Sequence, residues 1–306
     1  MAEPHHHHAP HHPARHHHHH DHRKAGATLK AAAILTVVFA AVEACGGWWT
    51  GSLALLSDAG HMVTDGAALG LGALAAWIAR RPPSQRHSYG FGRVEVLAAA
   101  LNAAAMLVIV ALLAFEAFGR LKAPSEVNGE GAAAIAFAGL VLNIAVLRWL
   151  APHGHDLNTR AAKLHVAGDI LGSLAALASA AIIALSGWTL ADPIASLVIC
   201  ALIAVSSARL LREGVHALME GVPHGLSVDA VAREITRAEG VVSVHDLHVW
   251  TLSGSRAALS AHVVVGSLAQ WERTLRELQA RLHERFGIDH VTLQPEPQQQ
   301  TLVRFK

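Results

Sequence analysis

Charge is scarce in this chain. Of its 306 residues 15% are Asp, Glu, Lys or Arg, against 52% hydrophobic. The few charges gather in residues 1–30, in short segments between apolar runs, and after Arg209. The formal net charge is +1, so the chain lacks the strong basic or acidic balance that draws nucleic acid or an acidic partner. Cysteine is nearly absent. Cys45 and Cys200 both fall in apolar runs, offer no disulfide framework and read as packing residues. No His-Glu-x-x-His suggests an intramembrane metalloprotease, and no Gly-rich phosphate loop or phosphorylation motif suggests ATP use. No filter-like loop or repeated pore segment suggests a channel. Residues 1–27 are polar and no cleavage pattern follows the first apolar run, so a secretory signal peptide is not expected.

What the chain does hold is long apolar runs. Six spans, near residues 29–49, 52–79, 94–121, 131–150, 161–185 and 191–211, are expected, since a helix needs about 20 apolar residues to cross a bilayer. Trp48 and Trp49 close the first span and suit a membrane interface. Lys and Arg favour one side. Arg15, Arg23, Lys24 and Lys30 precede span 1; Arg80, Arg81, Arg86 and Arg93 lie between spans 2 and 3. Arg148, Arg160 and Lys163 flank the gap between spans 4 and 5, and Arg209 and Arg212 end span 6. The segments between spans 1 and 2 and between spans 5 and 6 carry no Lys or Arg, although Arg120 and Lys122 break the pattern beside Glu126 and Glu130. The bias places both termini in the cytoplasm.

Inside two of these spans one short pattern recurs, His-x-x-x-Asp: His61 with Asp65, and His165 with Asp169. Residues four apart share a helix face, so each pair points an imidazole and a carboxylate one way. Two such helices facing each other would offer two nitrogens and two oxygens, a set that suits four-coordinate zinc, whereas all-oxygen sets suit manganese or magnesium. Ionisable groups inside a span mark function by default; the alternative is structural polar contact between helices. Bound metal needs neutral imidazole and ionised carboxylate, so protons and metal would compete for these groups. Asp58 reads either as an outer vestibule carboxylate or as a structural hydrogen-bonding residue. Glu43, Glu116 and Asn143 read as polar contacts between helices, with a proton role as the alternative for the two acids.

The ends differ from the middle. Half of the 24 histidines lie in residues 1–24, in runs broken by Pro, Ala and Arg. Such a tract buries no core and is expected to be disordered; it reads as a loose metal collector or as a purification tag. After Gly214 the composition becomes that of a soluble domain. Val228, Val231 and Ile235 recur at helical spacing after Ser227, a plausible N-cap. Two β-rich runs follow around a Ser-Gly-Ser turn, then a stripe of Trp271, Leu275, Leu278 and Leu282, then a last strand in HVTLQPE. The expected organisation is a leader over 1–27, an all-α six-helix membrane domain over 28–214, and a small α+β domain of order α-β-β-α-β over 215–306.

With GSLALLSDAGHMVTD, RHSYGFGRVEVLAA, DLNTRAAKLHVAGDILGS, ADPIASLVI and VHDLHVWTLS in view, the chain resembles the cation diffusion facilitators, in their bacterial zinc/cobalt/cadmium exporter branch. That resemblance implies a homodimer in the cytoplasmic membrane that moves a divalent metal out of the cytoplasm in exchange for protons, and a copper-chaperone-like cytoplasmic tail for regulation and dimerisation. It implies a transport site of His61, Asp65, His165 and Asp169. In the family His at the span 2 position goes with zinc and Asp with broader zinc and cadmium transport, so His61 implies Zn2+ as cargo. The alternatives are an exporter mainly of Co2+ or Cd2+, or a membrane metal sensor or buffer without transport. His245, His262 and Glu296, with His248 nearby, fall where family members bind further metal in the tail; surface histidines without metal are the alternative. Gln294 stands where two-metal members have His, which points to a partial tail site. His87 is expected to be solvated, and His153 and His155 to be exposed or to collect metal before span 5.

Overall fold

The structure, a computed structural model, describes residues 19–150, 157–253 and 256–298. Six long helices come first: α1 (His19–Thr50), α2 (Leu53–Ala79), α3 (Arg93–Lys122), α4 (Gly129–Leu150), α5 (Leu157–Ser186) and α6 (Ala191–Leu218). Among the described residues, five stretches are long and apolar enough to cross a bilayer: Leu53–Ala79, Arg93–Lys122, Gly129–Trp149, Val166–Ser186 and Ala191–Leu218. In α1 the corresponding stretch is the shorter Ile34–Thr50. Each expected span coincides with one helix. α1 and α6 run past the expected ends because no proline interrupts either extension. The outward faces carry large exposed apolar side chains, such as Val38, Leu69, Leu112, Phe115, Phe137 and Leu171, as helices do whose solvent is lipid. The His-rich leader through residue 18, His153, His155 and the glycine of the Ser-Gly-Ser turn lie outside the described residues.

The tail follows as α7 (Val228–Thr236), β1 (Val241–Ser253), β2 (Arg256–Val265), α8 (Trp271–Phe286) and β3 (Ile288–Pro297). Ser227 caps α7 as expected, its side chain accepting from the Ala230 amide. α8 stops at Gly287, whose φ of 64° lets its N–H reach the carbonyls of Leu282 and His283. The sheet order is β1-β2-β3, with β1 antiparallel and β3 parallel to β2. Along β2 the alternation is plain: Leu259, Ala261, Val263 and Val265 are buried, while Ser260, His262 and Val264 are only half-buried. The buried set packs with Val231 and Ile235 of α7 and with Leu278 and Leu282 of α8. Trp271 and Leu275 of the expected stripe, and Leu226 ahead of Ser227, flank that core. The opposite sheet face is left for polar residues. Glu234, 4% exposed, is held by Arg281 at 3.3 Å and Arg285 at 2.5 Å from α8, which offsets the cost of burying its charge.

The contacts divide the chain into two compact units, residues 1–63 with 117–199 and residues 64–116 with 200–306. In the first, α1 packs on α4 and α4 runs along α5. The buried side of α1 is Ala40, Glu43, Gly46, Gly47 and Thr50, a helical repeat of small and polar residues that lets backbones approach. A Cβ on Gly46 would collide with Ile135 of α4. Trp48 and Trp49 are on the exposed side of α1. So is Cys45, which corrects the expectation of a packing role: its place in the turn falls off the Glu43–Gly46 stripe. Cys200 is buried, and neither cysteine is in a disulfide. The Asp192 carboxylate of α6 holds the start of α2, accepting from Ser52 Oγ at 2.6 Å and from the amides of Leu53 and Ala54 at 2.7 and 3.2 Å. These are donors that a helix N-terminus otherwise leaves without partners. One turn on, Ser57 and Ser196 share a hydroxyl hydrogen bond of 2.6 Å.

A second chain of polar contacts ties α4, α5 and α2 together. Asn143 Nδ2 donates to Ser173 Oγ at 3.2 Å, and Ser173 Oγ donates to Asp58 Oδ2 at 3.0 Å. All three residues are buried. Gly172 permits this approach, because a Cβ there would overlap Asp58 Oδ1. Gly172→Val is therefore expected to destabilise the helical unit by about 1–3 kcal/mol, the usual cost of overpacking, read as a lower thermal midpoint of the purified protein; Gly168→Ala on the same helix, where a Cβ meets nothing, should leave the midpoint unchanged.

Candidate metal centres

Two groups of His and carboxylate side chains among the described residues have the donors to hold a metal ion. The first is His61, Asp65 and Asp169. α2 carries His61 and Asp65 one turn apart on one face, both half-buried. α5 brings Asp169, 1% exposed, so that its Oδ1 lies 3.7 Å from His61 Nε2. That spacing is too long for a hydrogen bond and suits two ligand atoms sharing an ion, whose own bonds would be about 2 Å to each. His165 lies on α5, four residues before Asp169, and its side chain is outside the described residues. The helix contact is set from outside the group: Asp58 stands three residues before His61 on α2, and Ser173 four after Asp169 on α5. Their hydrogen bond gives Asp58 the structural role, and Asn143 is the inter-helix polar contact expected of it.

Glu43 departs from expectation. It is fully buried, yet among the described residues neither carboxylate oxygen has a hydrogen-bond partner. Among the described residues no inter-helix hydrogen bond is made there, and the α4 residue beside its Oε1 is Gly139, which carries no donor side chain. Glu116 is exposed on α3.

The second group is His245, His262 and Glu296, with ligand atoms within 4.8 Å of one another. Strand register assembles it. His245 of β1 pairs across from His262 of β2, and His262 is opposite Gln294 of β3, two residues before Glu296 on the same face. Glu296 bridges the two imidazoles, with Oε2 2.9 Å from His245 Nε2 and Oε1 2.6 Å from His262 Nδ1. The rings are 5.2 Å apart. The hydrogen bond to Glu296 raises the His245 pKa, and the bonds from His262 and then His245 lower that of Glu296. β1 is irregular between His245 and His248, and Asp246 there has φ of 47°, so a bulge re-aims this stretch. His248 is not in the group; it lines a cavity of about 360 Å³ with Asp246, Ser260, His262 and Gln294. His87 is exposed, its ring 4.5 Å from Phe91, as a solvated loop residue should be. Sequence reasoning missed Asp192 and Ser173; an Asp at a span end and a Ser inside an apolar run are too common to signal a cap or a staple.

Residues 29–219 match the family described as cation efflux transmembrane domain, and residues 223–298 the family described as cation efflux protein, cytoplasmic domain. The zinc transporter ZitB of Escherichia coli (strain K12) is 44% identical over 84% of this chain and 83% of its own length. The cadmium, cobalt and zinc/H(+)-K(+) antiporter of Bacillus subtilis (strain 168) is 38% identical over 83% of this chain and 84% of its own. The metal cation efflux system protein CzcD of Cupriavidus metallidurans is 38% identical over 82% and 80%.

The Glu296 bridge has a titration signature. The His245–Glu296 bond stabilises the tail while His245 is protonated. Its contribution is complete below the ordinary imidazole range and is lost as pH rises through the raised His245 pKa. In Glu296→Gln the His245 midpoint should fall toward that of a solvated imidazole, read from ring resonances in NMR spectra of the full-length protein. An unmoved midpoint would disprove the bridge.

Proposed function

The chain belongs to the cation efflux family, the cation diffusion facilitators, and on that premise we propose that it exports divalent metal, zinc foremost, from the cytoplasm by alternating access, with protons as the exchanged ion. It is an integral membrane transporter rather than an enzyme. The observation that carries the reading is the His61–Asp169 pair. An imidazole and a carboxylate from two different apolar helices meet at 3.7 Å, with Asp65 one turn beyond His61. His165, one turn before Asp169 on α5, completes the proposed ligand set. Mixed nitrogen and oxygen donors favour zinc, with cobalt and cadmium as secondary cargo; a relative whose name includes all three metals supports that breadth.

The chemistry of the set supplies exchange. Metal binds when His61 is neutral and Asp65 and Asp169 are ionised. Protonating the same groups expels it. A site open to the cytoplasm loads metal and releases protons; open to the other side, it takes protons and releases metal. The Lys and Arg distribution supports cytoplasmic termini and, for a bacterial chain, the inner membrane. The matched cytoplasmic domain is a dimerisation unit in this family, which supports a homodimer. The His245, His262 and Glu296 group supports a metal site in the tail, with three ligands and Gln294 standing near as a weak donor.

Proteoliposomes loaded with a zinc-sensitive dye test the reading. Zinc flux should rise with a pH gradient that drives protons opposite to metal, and should fall to the level of empty vesicles in His61→Ala and in Asp169→Asn. Flux indifferent to the gradient would refute proton exchange; full flux in both variants would refute the site.

A further inference from the structure

We propose that the groove between α1 and α4 binds one anionic phospholipid, with an acyl chain lying in the groove and the phosphate meeting Arg148. The proposal takes from the reading above only that these helices cross a membrane; on the Lys and Arg bias the lipid belongs to the cytoplasmic leaflet.

The groove has a volume of about 500 Å³ and lies within the unit in which α1 packs on α4. Leu35, Val38 and Val42 form one wall and Phe137, Val141 and Ala145 the other, and every lining side chain is apolar. Val38, Phe137 and Val141 are exposed, so the groove is open along its side. Leu35 to Val42 rises about 10 Å and Phe137 to Ala145 about 12 Å, less than half of the roughly 30 Å hydrocarbon core. The groove sits in the C-terminal half of α4, which confines it to one leaflet. Spread over that length, its volume gives a channel about 7 Å across. A helix with its side chains is about 10–12 Å across and does not enter, which sets aside a second copy of this chain. A single acyl chain does enter.

Arg148 decides which lipid. It is exposed in the last turn of α4, seven residues after Val141 and eleven after Phe137. Those steps are close to two and three whole turns, so Arg148 continues the stripe that lines the groove. It stands about 16 Å along the axis from Phe137, at the depth where hydrocarbon gives way to headgroups. Trp149 beside it is exposed as well, as suits an interface. The stem of an arginine can stay in hydrocarbon while its head reaches outward, and the planar fork suits two N–H bonds to one phosphate. No Asp or Glu lies between Leu35 and Val42 or between Phe137 and Leu150, so neither wall repels an anion. A zwitterionic headgroup brings its own cation to the same place and gains less. Arg148 also suits the negative end of α4, a role that no choice of headgroup alters.

Binding of dioleoyl phosphatidylglycerol and dioleoyl phosphatidylcholine to the purified full-length protein in detergent micelles, counted by native mass spectrometry, tests the site. Wild type should hold phosphatidylglycerol about five-fold more tightly, the preference expected of one basic side chain among the headgroups. Arg148→Gln should bring the two affinities together, and Arg148→Lys should keep most of the difference. Ala138→Trp, which fills the groove from α4, should weaken both lipids. Glycerol phosphate, the headgroup chemistry without chains, should not compete. Equal affinities in wild type would mean a generic annular lipid only and overturn the proposal. So would a preference unchanged in Arg148→Gln, the result expected if Arg148 serves the helix end alone. That measurement is made at an exposed position and stands if Ala138→Trp fails to fold. Competition by glycerol phosphate would leave a phosphate site without the groove, and loss of the dimer rather than of lipid in Ala138→Trp would give the groove to a second copy; either result overturns the proposal.

Discussion

A buried carboxylate must find donors, and the hydrogen bond from Ser173 to Asp58 is where that requirement sets the architecture. Asp58 lies on α2, 1% exposed, and its nearest described donor is a hydroxyl from α5. Satisfying it pulls the two helices together at the turn adjoining His61 and Asp169. Gly172 makes room for the approach, and Asn143 extends the tie to α4. Asp192 does the same for the entry of α2, where three donors meet one carboxylate. In lipid there is no hydrophobic force to press helices together, so such polar ties and small residues carry the association. The proposed transport groups are thus positioned by acids outside the proposed ligand set.

Much of this was legible in the sequence. Long apolar runs announce helices by composition alone, and two identical His-x-x-x-Asp patterns mark candidate ligands because a helix repeats its face every four residues. The tail was legible through alternation and through Ser227 and Gly287, residues whose chemistry marks helix ends. What escaped were pairings between distant positions. Ser173 is one serine among several in an apolar helix, and nothing local says that it meets Asp58, 115 residues away. The outward position of Cys45 depends on which stripe of α1 packs, a rotation that an evenly apolar helix does not declare. Glu43 was visible as an acid in a span, but its lack of a donor depends on a glycine in another helix.

The tail group has another physical basis. Its ligands come from three strands, so register decides whether they meet. A one-residue slip of β3 would turn Glu296 toward the core face and Leu293 out of it. The parallel pairing of β2 with β3 is fixed by the core below it, through Ile288 and Leu293 against α8. The ligand geometry proposed for the outer face is therefore a by-product of core packing on the inner one. Glu296 already bonds both imidazoles, so an ion entering there must displace a proton from each His–carboxylate contact it replaces, and acid should weaken the site.

The transmembrane acids fall into three physical conditions, and the division has consequences for exchange. Asp192 and Asp58 are supplied with hydrogen-bond donors by other elements. Asp65 and Asp169 stand with His61 in the proposed ligand set. Among the described residues Glu43 has no hydrogen-bond partner. A transporter that relied on ligands alone would tie proton number to ligand number, since each proton lost would be replaced by a metal bond.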